Sequence, residues 1–213
     1  MLIINHLLIF IASFLFFKQI FKNLFAALTS SFYITFSPFF FTQIGHLQIL
    51  SYWPLFLSLY FLVNYVDFKR KNQLLLSSIF AGIQFLFSLY LGVMTIAIIL
   101  LFHITRSLTE KLNIIKTLYP FIVLVVITII ISFISIYGYI LVNSTYHPRR
   151  DYGEYITYSA HATDYLFPSS NQNSFLYGTS LFNKLKSLNN HGIGELAAFI
   201  GIIPTLLSLF YLF

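Results

Sequence analysis

This sequence has few charged residues and no cysteine. Lys, Arg, Asp and Glu make up 8% of the 213 residues, whereas hydrophobic residues make up 58% and the mean hydropathy is +0.84. A typical soluble domain has about 25% charged residues, so this chain has too little polar surface to cover a water-soluble globule. The absence of cysteine excludes disulfides and zinc–thiolate sites. The composition predicts an all-α, polytopic membrane protein.

Acidic residues are scarcer than basic ones, six against twelve, which gives a formal net charge of +6. A basic balance can indicate nucleic-acid binding. Here, however, the basic residues stand in short clusters between apolar runs, where membrane topology signals occur. We therefore predict a lipid bilayer as the partner and no nucleic acid. P-loop, GxGxxG, HExxH and CxxC motifs are also absent from the sequence.

Seven apolar runs predict membrane-spanning helices, because about 20 apolar residues cross the hydrocarbon layer of about 30 Å. They cover residues 2–17, 24–41, 49–66, 74–87, 91–104, 118–142 and 196–213. The predicted organisation is six spans in residues 1–142, one sizeable polar loop in 143–195 and a last, truncated span in 196–213.

The fourth and fifth runs together could instead form one helix over residues 74–104. Such a helix would measure about 46 Å at 1.5 Å per residue, which is too long for one crossing without a strong tilt. Basic clusters also flank the stretch on both sides, and an even number of crossings is needed to place both on one face. We therefore predict two helices with a tight outer turn at residues 88–92.

Basic clusters between the spans decide the orientation. In the seven-span scheme, Lys18 and Lys22, the cluster 69–71 and the cluster 106–116 all fall on one side of the membrane. The positive-inside rule makes that side cytoplasmic. The segment 143–195 and the loop around His46 then lie outside. We expect an integral protein of the bacterial plasma membrane with loop 143–195 extracytoplasmic.

Small residues recur every four positions in the fourth span. Ser77 pairs with Ala81 in this pattern, and Ser78 pairs with Gly82. Small residues let helix backbones approach closely in lipid. The pattern predicts that this helix packs tightly against its neighbours.

Polar residues cluster in "FTQIGHLQILSYWP", residues 41–54, between two apolar runs. The cluster is expected at the outer mouth of a helical hairpin, where water can meet its hydrogen bonds. Trp53 should lie at headgroup depth, where indoles are enriched. Pro54 should lie in the first turn of the next helix, where it removes no needed hydrogen bond. This explanation leaves open why His46 and Gln48 occur there.

The polar segment 143–195 offers cationic and acidic candidates. Arg149 and Arg150 suit phosphate, because a guanidinium group matches its geometry, but they could equally extend towards lipid headgroups. Asp151 and Glu154 are either candidates for a general base or local partners of the arginines.

Further along this segment, His161 and Asp164 stand three residues apart and would share a helix face. They are either a metal pair or surface hydrogen-bonding groups. Glu195 opens the last predicted span, where an acid suits a helix N-terminus.

Four stretches spread over most of the chain carry a family resemblance. They are "FYITFSPFFFTQIGHLQILSYWPLFLSLY" at 32–60, "LYLG" at 89–92, "YSAHATDYLFPSS" at 158–170 and "GELAAFIGIIPTLLSL" at 194–209. In order and content they resemble large bacterial membrane glycosyltransferases of the GT-C superfamily. The resemblance implies transfer of a sugar from a polyprenyl-phosphate donor to an acceptor on the extracytoplasmic side.

A site for that reaction is expected where the outer loop meets the mouths of the hairpins. No cofactor is expected, a divalent metal is left open and no metal ligands are assigned. The catalytic candidates are Asp151, Glu154 and Asp164, and the substrate-binding candidates are His46, Gln48, Tyr90, Arg149, Arg150 and Glu195.

The chain also departs from the superfamily pattern. Such enzymes usually carry a catalytic acid in their first outer loop, whereas the first acidic residue here is Asp67, on the predicted cytoplasmic side. We therefore expect the central part of such a transferase, with another chain supplying the missing spans.

Two other classes stay open. One is a non-catalytic membrane subunit or degenerate fragment, and the other is a lipid or sugar transporter. A transporter should carry ionisable residues within its spans. Only His6 and His103 qualify, and both lie near predicted span ends.

Overall fold

A computed structural model of the chain describes residues 2–37, 50–109 and 114–146, without the side chains of 114–117. The regular structure within these ranges is helical throughout, which confirms the predicted all-α class for them. The six helices are α1 Leu2–Phe21, α2 Leu24–Thr35, α3 Trp53–Phe68, α4 Lys71–Phe87, α5 Leu89–Thr109 and α6 Ile114–Tyr146. Apart from residues 143–146, which continue α6, the predicted loop 143–195 and the last span lie outside the described residues.

Three of the described helices are long and apolar enough to cross a membrane. They are Leu2–Phe21, Leu89–Thr109 and the part Leu118–Tyr146 of α6. Large apolar side chains face outward, and among the described residues fifteen buried polar side chains accompany eleven buried apolar ones. Soluble proteins bury mainly apolar side chains, whereas lipid gives helices no comparable reason to do so. The protein is therefore an integral membrane protein.

Contacts between helices show that α1 and α3 run in the same direction. Near their starts, the Asn5 amide donates a hydrogen bond of 3.1 Å to the backbone carbonyl of Leu50. Near their ends, the Gln19 amide donates one of 2.7 Å to the Asp67 carboxylate. The end of α2 reaches the start of α3, where the Tyr52 hydroxyl donates to the carbonyl of Ile34 at 3.1 Å. α2 thus runs opposite to its neighbours.

Contacts of α4 and α6 establish the remaining directions. Ser58 of α3 pairs with Ser77 of α4, and the Leu55 amide reaches Gln84 near the end of α4, so α3 and α4 are antiparallel. The Thr128 hydroxyl of α6 donates to the carbonyl of Ser78 at 3.2 Å. Further on, Ile131 touches Gly82. α4 and α6 are therefore parallel.

The ring of His103, near the end of α5, lies 5.9 Å from the ring of Phe121, near the start of α6. α5 and α6 are thus antiparallel, and α1, α3 and α5 run opposite to α2, α4 and α6. The helix ends fall into two groups. The cationic end, defined as the ends of α1, α3 and α5 with the starts of α2, α4 and α6, holds every basic side chain of the described residues. These are Lys18, Lys22, Lys69, Arg70, Lys71 and Arg106.

α4 packs closely against its neighbours through small residues, as the four-residue spacing predicted. Ser77, Ser78 and Ala81 are fully buried. The hydroxyls of Ser58 and Ser77 each donate to the other residue's backbone carbonyl at 2.9 Å. A Cβ atom on Gly82 would lie 2.7 Å from the Cβ and Cγ2 atoms of Ile131. Only glycine allows α4 and α6 to approach this closely.

The predicted break between the fourth and fifth runs is confirmed, but it is shorter than expected. Ser88 alone separates α4 from α5, with an extended backbone at φ −157° and ψ 118°. Gly92 lies within the first turn of α5, and a Cβ atom there would overlap the ring of Phe85.

Helix boundaries extend past several of the apolar runs. The fourth predicted span began at residue 74, whereas α4 begins at Lys71, and α6 runs from Ile114 to Tyr146 rather than over 118–142. Backbone hydrogen bonds continue a helix into the polar interface regardless of side-chain polarity. The second and third spans are exceptions. The second was predicted over 24–41, whereas α2 ends at Thr35 and residues 36 and 37 are non-helical. In the third, residues 51 and 52 are non-helical and α3 begins only at Trp53.

We predict that Gly82→Ala destabilises the protein by about 1–3 kcal/mol, because the added methyl group overlaps Ile131 and forces α4 and α6 apart. Gly138→Ala in α6 is the matched control, since nothing lies within 4 Å of its added Cβ. The control should be neutral or slightly stabilising, because alanine favours the helix. Unfolding by a denaturing detergent, followed by circular dichroism, measures both. Equal stability of the two variants would contradict the close approach.

Candidate functional site

The starts of α1, α3 and α5 and the ends of α2, α4 and α6 form the opposite end of the helices, away from the cationic end. At this opposite end, residues 50–52 lead into α3 and are held by neighbouring helices. The three consecutive residues Leu50, Ser51 and Tyr52 each take part in a hydrogen bond of 3.1 Å to a different helix. Asn5 of α1 donates to the carbonyl of Leu50, Gln84 of α4 donates to that of Ser51, and Tyr52 donates to Ile34 of α2. Three helices therefore hold the residues directly after the segment that contains His46 and Gln48.

Gln84 uses both ends of its side-chain amide at this point. Its Nε2 donates to the carbonyl of Ser51 and its Oε1 accepts from the backbone amide of Leu55, each at 3.1 Å. The Leu55 amide lies in the first turn of α3, where amides lack partners within the helix. Tyr52, at the N-cap, makes no side-chain capping bond. Gln84, which is fully buried, thus caps α3 from a neighbouring helix.

Trp53 is the first residue of α3, four residues after the predicted start at residue 49, and Pro54 follows it in the predicted first turn. Pro54 occupies the first turn, where it removes no needed hydrogen bond. The indole of Trp53 packs edge-on against the rings of Phe80 and Phe87, at 6.2 and 5.8 Å. Trp53 therefore also ties α3 to α4, in addition to its predicted position near the interface.

Tyr90 is the one predicted site residue within the described ranges. It lies in the first turn of α5, directly after the break at Ser88, and is 63% exposed. It thus belongs to the opposite end, beside the end of α4. The other predicted site residues lie outside the described residues: His46, Gln48, Arg149, Arg150, Asp151, Glu154, Asp164 and Glu195.

His103 is a buried ionisable residue that the sequence analysis placed merely near a span end. It is 1% exposed, and neither ring nitrogen has a hydrogen-bond partner. The rings of Phe102 and Phe121 lie 5.9 Å from its own. In the ranges 2–37, 50–109 and 118–146, no group of three His, Cys, Asp or Glu side chains is placed to hold a metal.

The sequence indicates Gln84 and His103 only as polar residues within apolar runs. Gln84 interrupts "AGIQFLF" and His103 interrupts "ILLFHIT". A polar side chain in a membrane helix turns inward and pairs with neighbours. The sequence does not say which neighbour receives it, so the capping role of Gln84 required the three-dimensional contacts.

The helical architecture, the outward apolar faces and the segregated cations define a polytopic integral membrane protein. The chain belongs to the family described as domain of unknown function DUF6311, whose sequence model matches residues 1–212. No curated protein and no solved structure matches the chain. The family description assigns no activity, so the glycosyltransferase function stays a prediction.

We predict that Gln84→Leu destabilises the protein by about 1–3 kcal/mol, because it leaves a buried carbonyl and a helix-start amide without partners. Gln19→Leu is the control: it removes an exposed hydrogen bond to Asp67 and should cost less than about 1 kcal/mol. Thermal unfolding in detergent measures both. Equal losses would show that Gln84 makes no special contribution to the start of α3.

Proposed function

We propose that this chain is part of a membrane glycosyltransferase that moves a sugar from a polyprenyl-phosphate donor to an acceptor on the extracytoplasmic side. The proposal includes the seven-span arrangement and the outer position of segment 143–195. The resemblance of residues 32–60, 89–92, 158–170 and 194–209 to GT-C enzymes supplies the chemistry.

The observation that carries the proposal furthest is the charge distribution of the described helices. All six described basic side chains belong to the cationic end, which suits a cytoplasmic face under the positive-inside rule. The opposite end, with Tyr90, is then extracytoplasmic. A lipid-linked sugar on the outer leaflet would meet the protein there.

The proposal requires the predicted phosphate-binding residues to meet at that end. Along the chain, His46 and Gln48 precede Leu50, and Arg149 and Arg150 follow Tyr146, the last residue of α6.

The length of α6 sets a condition on that meeting. Ile131 of α6 is level with Gly82 of the parallel α4, so residue 137 is level with Ser88. Residues 138–146 then extend about 14 Å beyond the end of α4. The proposal therefore requires the chain to turn back along α6 after Tyr146.

The proposed reaction exchanges one bond at the anomeric carbon of the sugar. The acceptor hydroxyl oxygen attacks this carbon while the bond from carbon to the phosphate oxygen breaks and polyprenyl phosphate leaves. A carboxylate takes the hydroxyl proton, and Asp151, Glu154 and Asp164 are the candidates. Arg149 and Arg150, with His46 and Gln48, would bind the phosphate and stabilise its growing charge. Tyr90 and Glu195 would contact the sugar or acceptor.

We predict that Arg149→Ala combined with Arg150→Ala weakens donor binding by about a hundredfold or more, because two charge-assisted contacts are lost. His46→Ala should weaken it less. Binding of a polyprenyl-phosphate sugar to the purified chain, followed by fluorescence quenching, measures this. Lys69→Ala with Lys71→Ala removes two charges from the cationic end and is the control. Donor binding as tight as that of the parent in the arginine variant would contradict the phosphate clamp.

We predict that an impermeant thiol reagent labels Gln43→Cys and Asn171→Cys in intact cells but not Asn72→Cys or Glu110→Cys. The chain has no native cysteine, so each single variant reports on one position. Asn72 follows the basic cluster 69–71 at the start of α4 and is expected inside. Labelling of Asn72→Cys in intact cells would refute the proposed orientation.

A transporter of lipid or sugar is the second candidate, and the burial of His103 favours it. An ionisable residue buried in a candidate span without a hydrogen-bond partner often marks a transport path. The products separate the two candidates: a glycosyltransferase releases polyprenyl phosphate, whereas a transporter leaves the sugar–phosphate bond intact. Thin-layer analysis of the lipid after incubation with an acceptor distinguishes them.

A further inference from the structure

A cleft of about 500 Å³ opens at the cationic end, between α1, α2 and α3. It lies away from the hydrogen bonds that hold residues 50–52, and the proposed glycosyltransfer does not use it. Its lining consists of Leu15, Lys18, Gln19, Lys22, Leu24 and Tyr60. We propose that this cleft binds the phosphate headgroup of an anionic phospholipid.

Two lysines supply positive charge around the cleft. Lys18 and Lys22 form no ion pair with any carboxylate of the described residues, and the Nζ atom of Lys18 lies 5.8 Å from the centre of the Phe14 ring. Leu24, the first residue of α2, also lines the cleft, so the positive end of the α2 dipole lies there. The end of α1 also lies at the cleft and carries the negative end of its dipole, which about cancels the positive end of α2. The net positive potential that an anion in the cleft meets is therefore that of Lys18 and Lys22.

The one described carboxylate at this end is already engaged. Asp67 accepts a hydrogen bond of 2.7 Å from the amide of Gln19, which itself lines the cleft. This bond ties the end of α1 to the end of α3 and fixes one wall of the cleft. It also occupies a carboxylate oxygen that would otherwise be free to pair with a lysine.

The shape of the cleft favours a phospholipid over a free phosphate ion. Leu15 precedes Lys22 by seven residues of nearly continuous helix, so the cleft reaches about 10 Å inward from its charged mouth. Leu15 and Tyr60 make this inner part largely apolar. A phosphate with its attached acyl chains would match both parts, whereas a free phosphate would use only the mouth. Basic pockets between membrane helices on the cytoplasmic side bind anionic headgroups in this way.

Lysines at any membrane interface can extend towards headgroups without forming a site, so the test needs a charge-matched control. Lys22 and Lys69 both have left-handed backbones, with φ 53° and 55°, while Lys18 and Lys71 are both helical. The variant Lys18→Gln/Lys22→Gln and the variant Lys69→Gln/Lys71→Gln therefore remove the same charge from the same end, in the same backbone conformations. Only the first pair lines the cleft.

Native mass spectrometry of the full chain in an uncharged detergent, titrated with phosphatidylglycerol or phosphatidylcholine, tests the proposal. Phosphatidylglycerol should bind preferentially, and Lys18→Gln/Lys22→Gln should weaken its binding by about ten- to thirtyfold. Lys69→Gln/Lys71→Gln should retain it. Equal weakening in both variants would mean that net charge alone attracts the lipid. That result would overturn the proposal that the cleft is the binding site. Inorganic phosphate that displaces the lipid at low millimolar concentration would overturn the lipid assignment in favour of a soluble anion.

A second variant keeps both lysines and so covers the case in which the double variant fails to fold. Leu15→Trp fills the inner part of the cleft and should weaken phosphatidylglycerol binding while circular dichroism of the helices is unchanged. Unchanged lipid binding in Leu15→Trp would show that the acyl chains do not enter the cleft, and would overturn the proposal.

Discussion

Polar contacts of α4 with its neighbours hold the described helices together. In lipid, apolar surface gains little by leaving its surroundings, so close packing and interhelical hydrogen bonds must supply the attraction. α4 makes both kinds of contact. Ser77 and Gln84 bond to α3 and the residues before it, Ser78 accepts a bond from Thr128 of α6, and Gly82 lets the α6 backbone approach. The outward faces of α1, α5 and α6 are left for apolar side chains.

Regularities that depend on one helix alone were visible in the sequence. The four-residue spacing of Ser77, Ser78, Ala81 and Gly82 predicted the packing face of α4, and length together with charge predicted the break before α5. Helix ends were placed less well, because side-chain polarity marks the edge of the hydrocarbon layer and not the last hydrogen-bonded turn. α4 and α6 consequently begin before their apolar runs.

Contacts between two helices could not be predicted from the sequence. That Gln84 caps α3, and that His103 is enclosed next to Phe121, follow from which faces meet. A single sequence gives the period of a helix but not its partner. Of the candidate site, Tyr90 is exposed beside the end of α4, and the remaining site residues stay predictions, because their chemistry depends on distances between segments far apart in the chain.

The one-residue connection at Ser88 has a mechanical consequence for the protein. Ser88 donates its amide to Gln84 and accepts from Gly92, so the end of α4 and the start of α5 are joined by hydrogen bonds on both sides of a single extended residue. Gln84 in turn holds the start of α3. Hydrogen bonds therefore link the end of α4 to the starts of α3 and α5. Any motion that separates α4 from α5 is therefore smallest at Ser88 and largest at the cationic end.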